Sequence, residues 1–136
     1  KGAFVIGSDQ GLDLKGELIN EALDRNEAKE QLMKMSGSIH TLITATTVAH
    51  DNNIIWKYVD RSKMHMRKLS EDLIKEYLNK VDDNILGLVG VYAIEEEGIK
   101  LFENISSDLF SIQGISLIQL TQFLWDNNLL FENNGT

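Results

Sequence analysis

The fold class is indicated first by one stretch, residues 41–59, which has the sequence TLITATTVAHDNNIIWKYV. Residues 41–49 are rich in Thr, Ile, Val and Leu, which favour β-strands. Residues 51–53 are Asp-Asn-Asn and are typical of a turn, and residues 54–59 are again rich in strand-forming side chains. The stretch therefore predicts a β-hairpin, and residues 62–67 either extend its second strand or follow it as a further strand.

Capping residues predict helices on both sides of this hairpin. Asp24 and Glu27 have capping-box spacing, and Ser36 followed by glycine marks the end of that helix. Ser70 is the expected N-cap of a second helix, since two acidic residues follow it at the positive end of the helix dipole. Residues 116–125 carry apolar side chains at helical spacing and predict a third helix.

The rest of the chain predicts further short strands and a mixed α/β or α+β layer fold. The apolar run at residues 3–6 predicts a buried strand that ends at Gly7 and is followed by a polar break over residues 8–11. Other short strands are expected at residues 12–14, 86–94 and 98–105, the last two around an acidic turn at residues 95–97. We expect one domain over residues 1–126 and a tail over residues 127–136.

Composition excludes several classes of function. The 136 residues include no cysteine, which rules out disulfide frameworks, thiol nucleophiles and thiolate metal sites. The 13 Lys and Arg against 21 Asp and Glu give a net charge of −8, which argues against a broad nucleic-acid-binding surface. The apolar runs are too short for a membrane span or a secretory signal. The chain begins with Lys1 just before a predicted strand, so we expect a fragment or a processed product.

Asp9 is the first candidate for chemistry, because it follows an apolar strand at the end where α/β folds place ligands. Its carboxylate could hold a divalent metal or take a proton from water. The alternative to a catalytic role is a structural one, in which the Asp9 side chain accepts a hydrogen bond from the nearby backbone of a turn. Glu95 belongs to the acidic turn, where three adjacent carboxylates cannot all converge on one ligand.

A second candidate is the strand face formed by Lys57, Arg61, Lys63, His65 and Arg67, counted by twos along the chain. Such a positive face either attracts a polyphosphate or is the solvated face of an edge strand that resists aggregation. The second interpretation is the better supported of the two, because charged strand faces usually face water.

The order of short motifs resembles the Maf family, whose members are nucleoside triphosphate pyrophosphatases. The resemblance covers roughly residues 3–125. The motifs that carry it are Gly7-Ser8-Asp9-Gln10, Glu27-Ala28-Lys29-Glu30-Gln31-Leu32, Met35-Ser36-Gly37-Ser38-Ile39-His40-Thr41, Arg67-Lys68-Leu69-Ser70-Glu71, Tyr77-Leu78, Gly90-Val91-Tyr92 and Leu101-Phe102.

This resemblance implies an α/β fold with a curved mixed sheet and flanking helices, shared with inosine-triphosphate pyrophosphatases. It also implies hydrolysis of a nucleoside triphosphate to the monophosphate and pyrophosphate with Mg²⁺ or Mn²⁺. Asp9 matches the family's acidic residue, a metal-associated general base. Gln10 and Glu95 match positions where relatives that prefer 7-methyl-GTP carry the same residues, which implies a modified purine substrate.

One departure from the family pattern lies at the predicted phosphate site. Where the family has a Gly-Lys-Pro motif with a phosphate-binding Lys, this chain has Asn20-Glu21-Ala22. A negative charge at Glu21 should weaken binding of a triphosphate. The family's Ser-Ala-Ser motif, its Arg and the acidic ligand after it are not found in residues 1–136.

Two hypotheses follow from these residues. The first is a cytoplasmic house-cleaning pyrophosphatase that uses a divalent metal and binds neither nucleic acid nor membrane. The second is a catalytically impaired Maf-fold remnant that acts as a nucleotide- or protein-binding module. The resemblance also implies a homodimer, although no part of the sequence indicates its interface.

Overall fold

The structure, a computed structural model, describes residues 2–106 and 108–131. Its centre is a five-stranded sheet with the order β2-β1-β3-β4-β5, and each pairing between these described strands is antiparallel. The expected mixed α/β class with flanking helices is confirmed, and the antiparallel hairpin over residues 41–59 forms its centre. The mixed sheet implied by the resemblance is not seen among the described strands, whose pairings are all antiparallel. The strands are β1 (Phe4–Leu14), β2 (Glu17–Ile19), β3 (Ile39–His50), β4 (Asn53–Met66) and β5 (Phe102–Ser106).

The predicted helices are present and are capped as expected. Asp24 accepts a hydrogen bond from the backbone N–H of Glu27 (2.8 Å), and Ser70 accepts one from the N–H of Leu73 (3.1 Å). None of the helices in the described part of the chain is long and apolar enough to cross a membrane. The helices are α1 (Arg25–Met35), α2 (Glu71–Lys80), α3 (Leu109–Gln113) and α4 (Leu117–Asp126), with 3₁₀ segments at Asp83–Gly87, Val89–Val91 and Glu97–Leu101.

Side chains alternate between two faces of the sheet, which we call the inner and the outer face. The inner face carries Leu12, Leu42 and Met64, which are buried with Leu32 of α1 and Ile74 of α2 in one apolar core. This core holds helices and sheet together because each fully buried aliphatic side chain contributes about 1.5–3 kcal/mol.

The outer face carries the cations predicted for the second hairpin strand. Lys57, Arg61 and Lys63 are exposed, whereas Ser62, Met64 and Met66 of the inner face are buried. The predicted alternation of β4 is therefore confirmed, and these cations lie on the face opposite to the core.

The predicted break over residues 8–11 is wrong, because β1 runs without interruption through Phe4–Leu14. Its backbone pairs with β3 from Phe4 to Asp13, which satisfies the polar groups that a loop would leave to water. The predicted burial of the first residues is also wrong, since Phe4, Val5 and Ile6 are 42%, 61% and 47% exposed. Asp9 therefore lies in the middle of a strand and not after its end.

The strand predicted over residues 86–94 is wrong as well. This segment forms 3₁₀ turns, in which Leu88 N–H donates to Ile85 O and Val91 N–H donates to Leu88 O (both 3.1 Å). Gly90 explains the turn: its φ is +82°, and a Cβ there would lie 2.8 Å from Leu12 Cδ1. Of the strand predicted over residues 98–105, only the part from Phe102 onward forms, as β5.

The C-terminal part of the chain adds one helix that was not predicted. Helix α3 precedes the predicted α4, and Asp108 caps it by accepting from Ser111 N–H (2.8 Å). The predicted acidic turn is present, with Glu95 and Glu96 in turn conformation. Lys1 and residues 132–136 of the predicted tail lie outside the described residues, and the domain boundary at residue 126 stays a prediction.

Candidate active site

The predicted site residues line two adjoining cavities at the β1 side of the sheet. The two cavities share Gln10, Leu88 and Val89 in their linings, so they adjoin one another. We call the first the acidic cavity; its lining also includes Ser8, Asp9, Glu21, Gly87 and Gly114. We call the second the inner cavity; its lining also includes Leu42, Tyr92, Ala93, Ile94, Glu95, Ile112 and Gln113.

The acidic cavity measures about 220 Å³, and its lining includes two exposed acidic residues, Asp9 and Glu21. Asp9 comes from the middle of β1, and Glu21 from the loop between β2 and α1. Gln31 of α1 holds that loop, because its amide donates to Asn20 O (2.9 Å). No Lys or Arg is among the described residues that line this cavity, so its field is negative.

This donor set fits part of a divalent metal site. Carboxylate oxygens suit Mg²⁺ and Mn²⁺, and Mg²⁺ commonly takes only one or two carboxylates together with waters and substrate phosphates. No group of three or more His, Cys, Asp or Glu side chains could hold a metal within residues 2–106 and 108–131. Asp9 and Glu21 could therefore supply at most a partial set, to be completed by phosphate oxygens.

The inner cavity is smaller, about 50 Å³, and is lined mainly by apolar side chains. Tyr92 in its wall is held from the protein interior, because Tyr92 Oη lies 2.8 Å from His40 Nε2. Burial lowers the pKa of His40 to about 4, so the ring is neutral at pH 7. Burial also raises the pKa of Tyr92, which keeps its hydroxyl protonated.

Gln10 connects the two cavities and is held by its amide nitrogen. Nε2 lies 3.0 Å from Thr44 Oγ1, 3.1 Å from Ser111 O and 3.0 Å from Ile112 O. Its carbonyl oxygen lies on the side of Gly114, where a Cβ built on that glycine would be 4.0 Å away. The side chain is therefore oriented by β3 and α3 together.

Comparison with known proteins gives the family. The profile of the Maf-like protein family matches residues 1–127, which is nearly the whole chain. The chain belongs to the Maf-like protein family. The resemblance drawn from the motifs around Asp9 and His40 is thereby confirmed.

Similar proteins carry two enzyme names. A nucleoside triphosphate pyrophosphatase of Caulobacter vibrioides is 40% identical over 121 residues, covering 89% of this chain and 61% of the relative. One of Nitrobacter hamburgensis is 40% identical over 129 residues, covering 95% and 64%. A 7-methyl-GTP pyrophosphatase of Brucella suis is 42% identical over 119 residues, covering 88% and 60%. The Maf-like chain thus spans about three fifths of the length of these relatives.

The structure brings together the four residues that the sequence singled out in this Maf-like chain. Asp9, Gln10 and Glu21 line the acidic cavity, and Gln10 and Glu95 line the inner cavity. Sequence reasoning missed Thr44, which orients Gln10. The alternation of side chains along β3 could have indicated it. Thr44 is two residues after Leu42, so its side chain lies on the same inner face of the sheet.

Proposed function

We propose that the chain is part of a nucleoside triphosphate pyrophosphatase of the 7-methyl-GTP type. The observation that carries the proposal is the placement of Gln10 between two adjoining cavities, with Asp9 in one and Glu95 in the other. The names of the relatives favour hydrolysis over the alternative of a catalytically impaired binding module. The triphosphate would lie in the acidic cavity and the base in the inner cavity.

In this proposal Asp9 is the general base. Its carboxylate takes a proton from the attacking water, whose oxygen forms a bond to the α-phosphorus. The bond from that phosphorus to the α–β bridging oxygen breaks, and pyrophosphate leaves. When bound beside Asp9, Mg²⁺ or Mn²⁺ would neutralise the charge that develops on the phosphates.

Hydrogen-bond acceptors would recognise the nucleobase of the substrate. Guanine presents two adjacent donors, N1–H and the 2-amino group, and methylation at N7 leaves both in place. The Gln10 carbonyl and the Glu95 carboxylate are suited to accept from them. The Glu95 charge also favours the cationic ring of 7-methylguanine.

Pyrophosphate release tests the proposal. Purified protein is assayed against 7-methyl-GTP, GTP, dTTP and UTP with Mg²⁺ or Mn²⁺, beside Asp9→Asn and the matched control Glu103→Gln, an exposed carboxylate on β5. We expect release for the parent and for Glu103→Gln, and a loss of at least 100-fold for Asp9→Asn. Equal release by the parent and Asp9→Asn would refute the role of Asp9, and binding without release would support the binding-module alternative.

Glu21 gives a second test, since it places a negative charge beside a polyanion. Glu21→Lys should lower the KM for the triphosphate if this charge weakens binding, whereas Glu103→Lys makes the same charge change away from the cavities. The opposite result, a loss of activity in Glu21→Lys alone, would identify Glu21 as a second carboxylate that the metal requires.

Two further expectations stay predictions. The homodimer is tested by light scattering, and the cytoplasmic location by fractionation of cells that express the protein.

A further inference from the structure

A third cavity lies between α2 and the 3₁₀ segment at residues 97–101, and the proposed reaction makes no use of it. It measures about 180 Å³, and among the described residues it shares none with the linings of the acidic and inner cavities. We call it the basic cavity. The cations in its lining are Arg67, Lys68, Lys80 and Lys100, and the acidic residues are Glu76 and Glu97.

Ion pairing leaves two of these cations uncompensated. Lys80 Nζ lies 3.4 Å from Glu76 Oε2, and Lys100 Nζ lies 2.8 Å from Glu97 Oε1. No carboxylate in the described part of the chain pairs with Arg67 or Lys68, which are consecutive and exposed. The basic cavity therefore has an excess of positive charge, in a chain whose net charge is −8.

Backbone contacts hold Arg67 in place and leave most of its guanidinium free. Its Nε–H donates to Lys100 O (3.0 Å), and its backbone N–H donates to Leu101 O (2.8 Å). No described residue accepts a hydrogen bond from its two Nη atoms. The remaining N–H groups of this planar cation are therefore available to a carboxylate, for which their geometry is well suited.

Apolar side chains form the rest of the lining. Leu69 precedes α2, Leu73 lies in its first turn, Tyr77 lies one turn later, and Leu101 is buried beside them. The Tyr77 hydroxyl donates to Val91 O (2.7 Å) in the interior, so the ring and not the hydroxyl is available to a ligand. Leu73 is 51% exposed, and covering it with an apolar group would be favourable.

We propose that the basic cavity binds a small organic anion, a monocarboxylate with an apolar body the size of one ring. Its carboxylate accepts hydrogen bonds from Arg67 and Lys68, and its body covers Leu73 and the Tyr77 ring. An ammonium compound is disfavoured, because it meets the excess of positive charge. A cavity of about 150 Å³ holds one benzene molecule, so a ring fits the volume here.

The cavities of the proposed active site do not compete for this ligand. The acidic and inner cavities have no Lys or Arg in their described linings, and both have carboxylates there. An anion is therefore repelled from them and attracted to the basic cavity. Binding at the basic cavity is separate from the proposed hydrolysis, and its test needs no nucleotide.

Phenylacetate is the probe, because three related compounds each change one of its properties. Phenylacetamide lacks the charge, acetate lacks the ring, and 2-phenylethylammonium has the opposite charge. Each is titrated into ¹⁵N-labelled protein while the backbone amide shifts are recorded by NMR. We expect saturable binding of phenylacetate with a Kd of about 1 mM or below, at least tenfold tighter than the other three. The amides of residues 67–77 and 97–101 should shift most.

The variants locate the anion. Lys68→Gln and Arg67→Gln should each weaken phenylacetate binding about fivefold, because each removes one charged donor. Arg61→Gln makes the same charge change on the outer face of β4 and should leave the affinity unchanged. Lys68 has no polar partner among the described residues, so Lys68→Gln should fold and keeps the test decisive if Arg67→Gln does not.

Several results would overturn the proposal. These are equal affinities for phenylacetate and phenylacetamide, tighter binding of 2-phenylethylammonium, or an unchanged affinity in folded Lys68→Gln. The largest shifts at the acidic or inner cavity would also contradict it, because they would place the anion elsewhere. If the amides around the basic cavity shift on dilution without ligand, a second copy of the chain covers the cavity and the proposal is wrong.

Discussion

The inner face of the sheet has two halves that are built from the same strands but held by different forces. The apolar half faces α1 and α2 and carries Leu12, Leu42 and Met64, which pack in the apolar core. The polar half faces α3 and α4 and carries Gln10, Thr44 and Thr46, which form hydrogen bonds with the backbone of residues 111, 112 and 116. Apolar packing tolerates small shifts, whereas hydrogen bonds fix direction. The half that must aim a side chain at a ligand is therefore the polar one.

The largest effect that this comparison predicts is on stability of the apolar half. Leu32→Ala removes a side chain that is fully buried in the core, and we expect a loss of roughly 4 kcal/mol in the free energy of unfolding. Leu120→Ala, in α4 and outside the apolar core, should cost about half as much, roughly 2 kcal/mol. Urea unfolding followed by circular dichroism measures both, and equal losses would contradict the division into two halves.

The next effect concerns His40, the one imidazole in the apolar half among the described residues. Its pKa of about 4 lies below the ordinary 6.5, so the unfolded chain binds the proton more readily than the folded chain. His40 should therefore destabilise the fold as the pH falls from about 6.5 to 4, by about 3 kcal/mol in total. Urea midpoints at pH 7 and 4.5 should differ less in His40→Phe than in the parent, and an equal pH dependence would exclude His40 as the cause.

A smaller effect is expected in the polar half. Thr46→Val removes the acceptor of the Ser116 N–H and leaves that buried donor unpaired, which should cost about 2 kcal/mol. Thr47→Val on the outer face is the matched control and should change stability by under about 0.5 kcal/mol. Urea unfolding of both variants measures the two changes in the free energy of unfolding. If Thr46→Val loses no more stability than Thr47→Val, the hydrogen bonds of the polar half contribute little to the stability of the fold.

The smallest effect compares two helix caps with the same hydrogen-bond length. Asp24 and Asp108 each accept a backbone N–H at 2.8 Å, at the start of α1 and α3 respectively. Each change to Ala should cost about 1 kcal/mol of global stability. Hydrogen exchange should differ, since Asp108→Ala also loosens Ser111 and should speed exchange of the Ser116 N–H, which Asp24→Ala should leave unchanged.

The sequence predicted those parts of the fold whose signals are local. The β3–β4 hairpin and the caps of α1 and α2 depend on neighbouring residues, and they appear as expected. The continuous β1 was missed because Ser8–Gly11 has the composition of a loop, while its conformation is set by pairing with β3 far along the chain. In such a segment the tertiary contacts determine the conformation, even where the secondary-structure propensity of the residues favours a loop.

The candidate site shows the same limit. Asp9, Gln10, Glu21 and Glu95 were singled out from motifs, and the fold places them around adjoining cavities. The role of Thr44 could not be predicted, because it depends on Ser111 O, which lies 67 positions along the chain on a five-residue helix that has weak sequence signals.

Gly90 has a consequence for altering this protein by selection or by design. It forms part of the turn that carries Leu88 and Val89 into both cavities, and a Cβ there would meet Tyr92 at 2.6 Å and Leu12 at 2.8 Å. Any other L-residue also resists its φ of +82°. We therefore expect Leu88 and Val89, which line both cavities, to tolerate substitution better than position 90, where any side chain requires a shift of Tyr92 and Leu12.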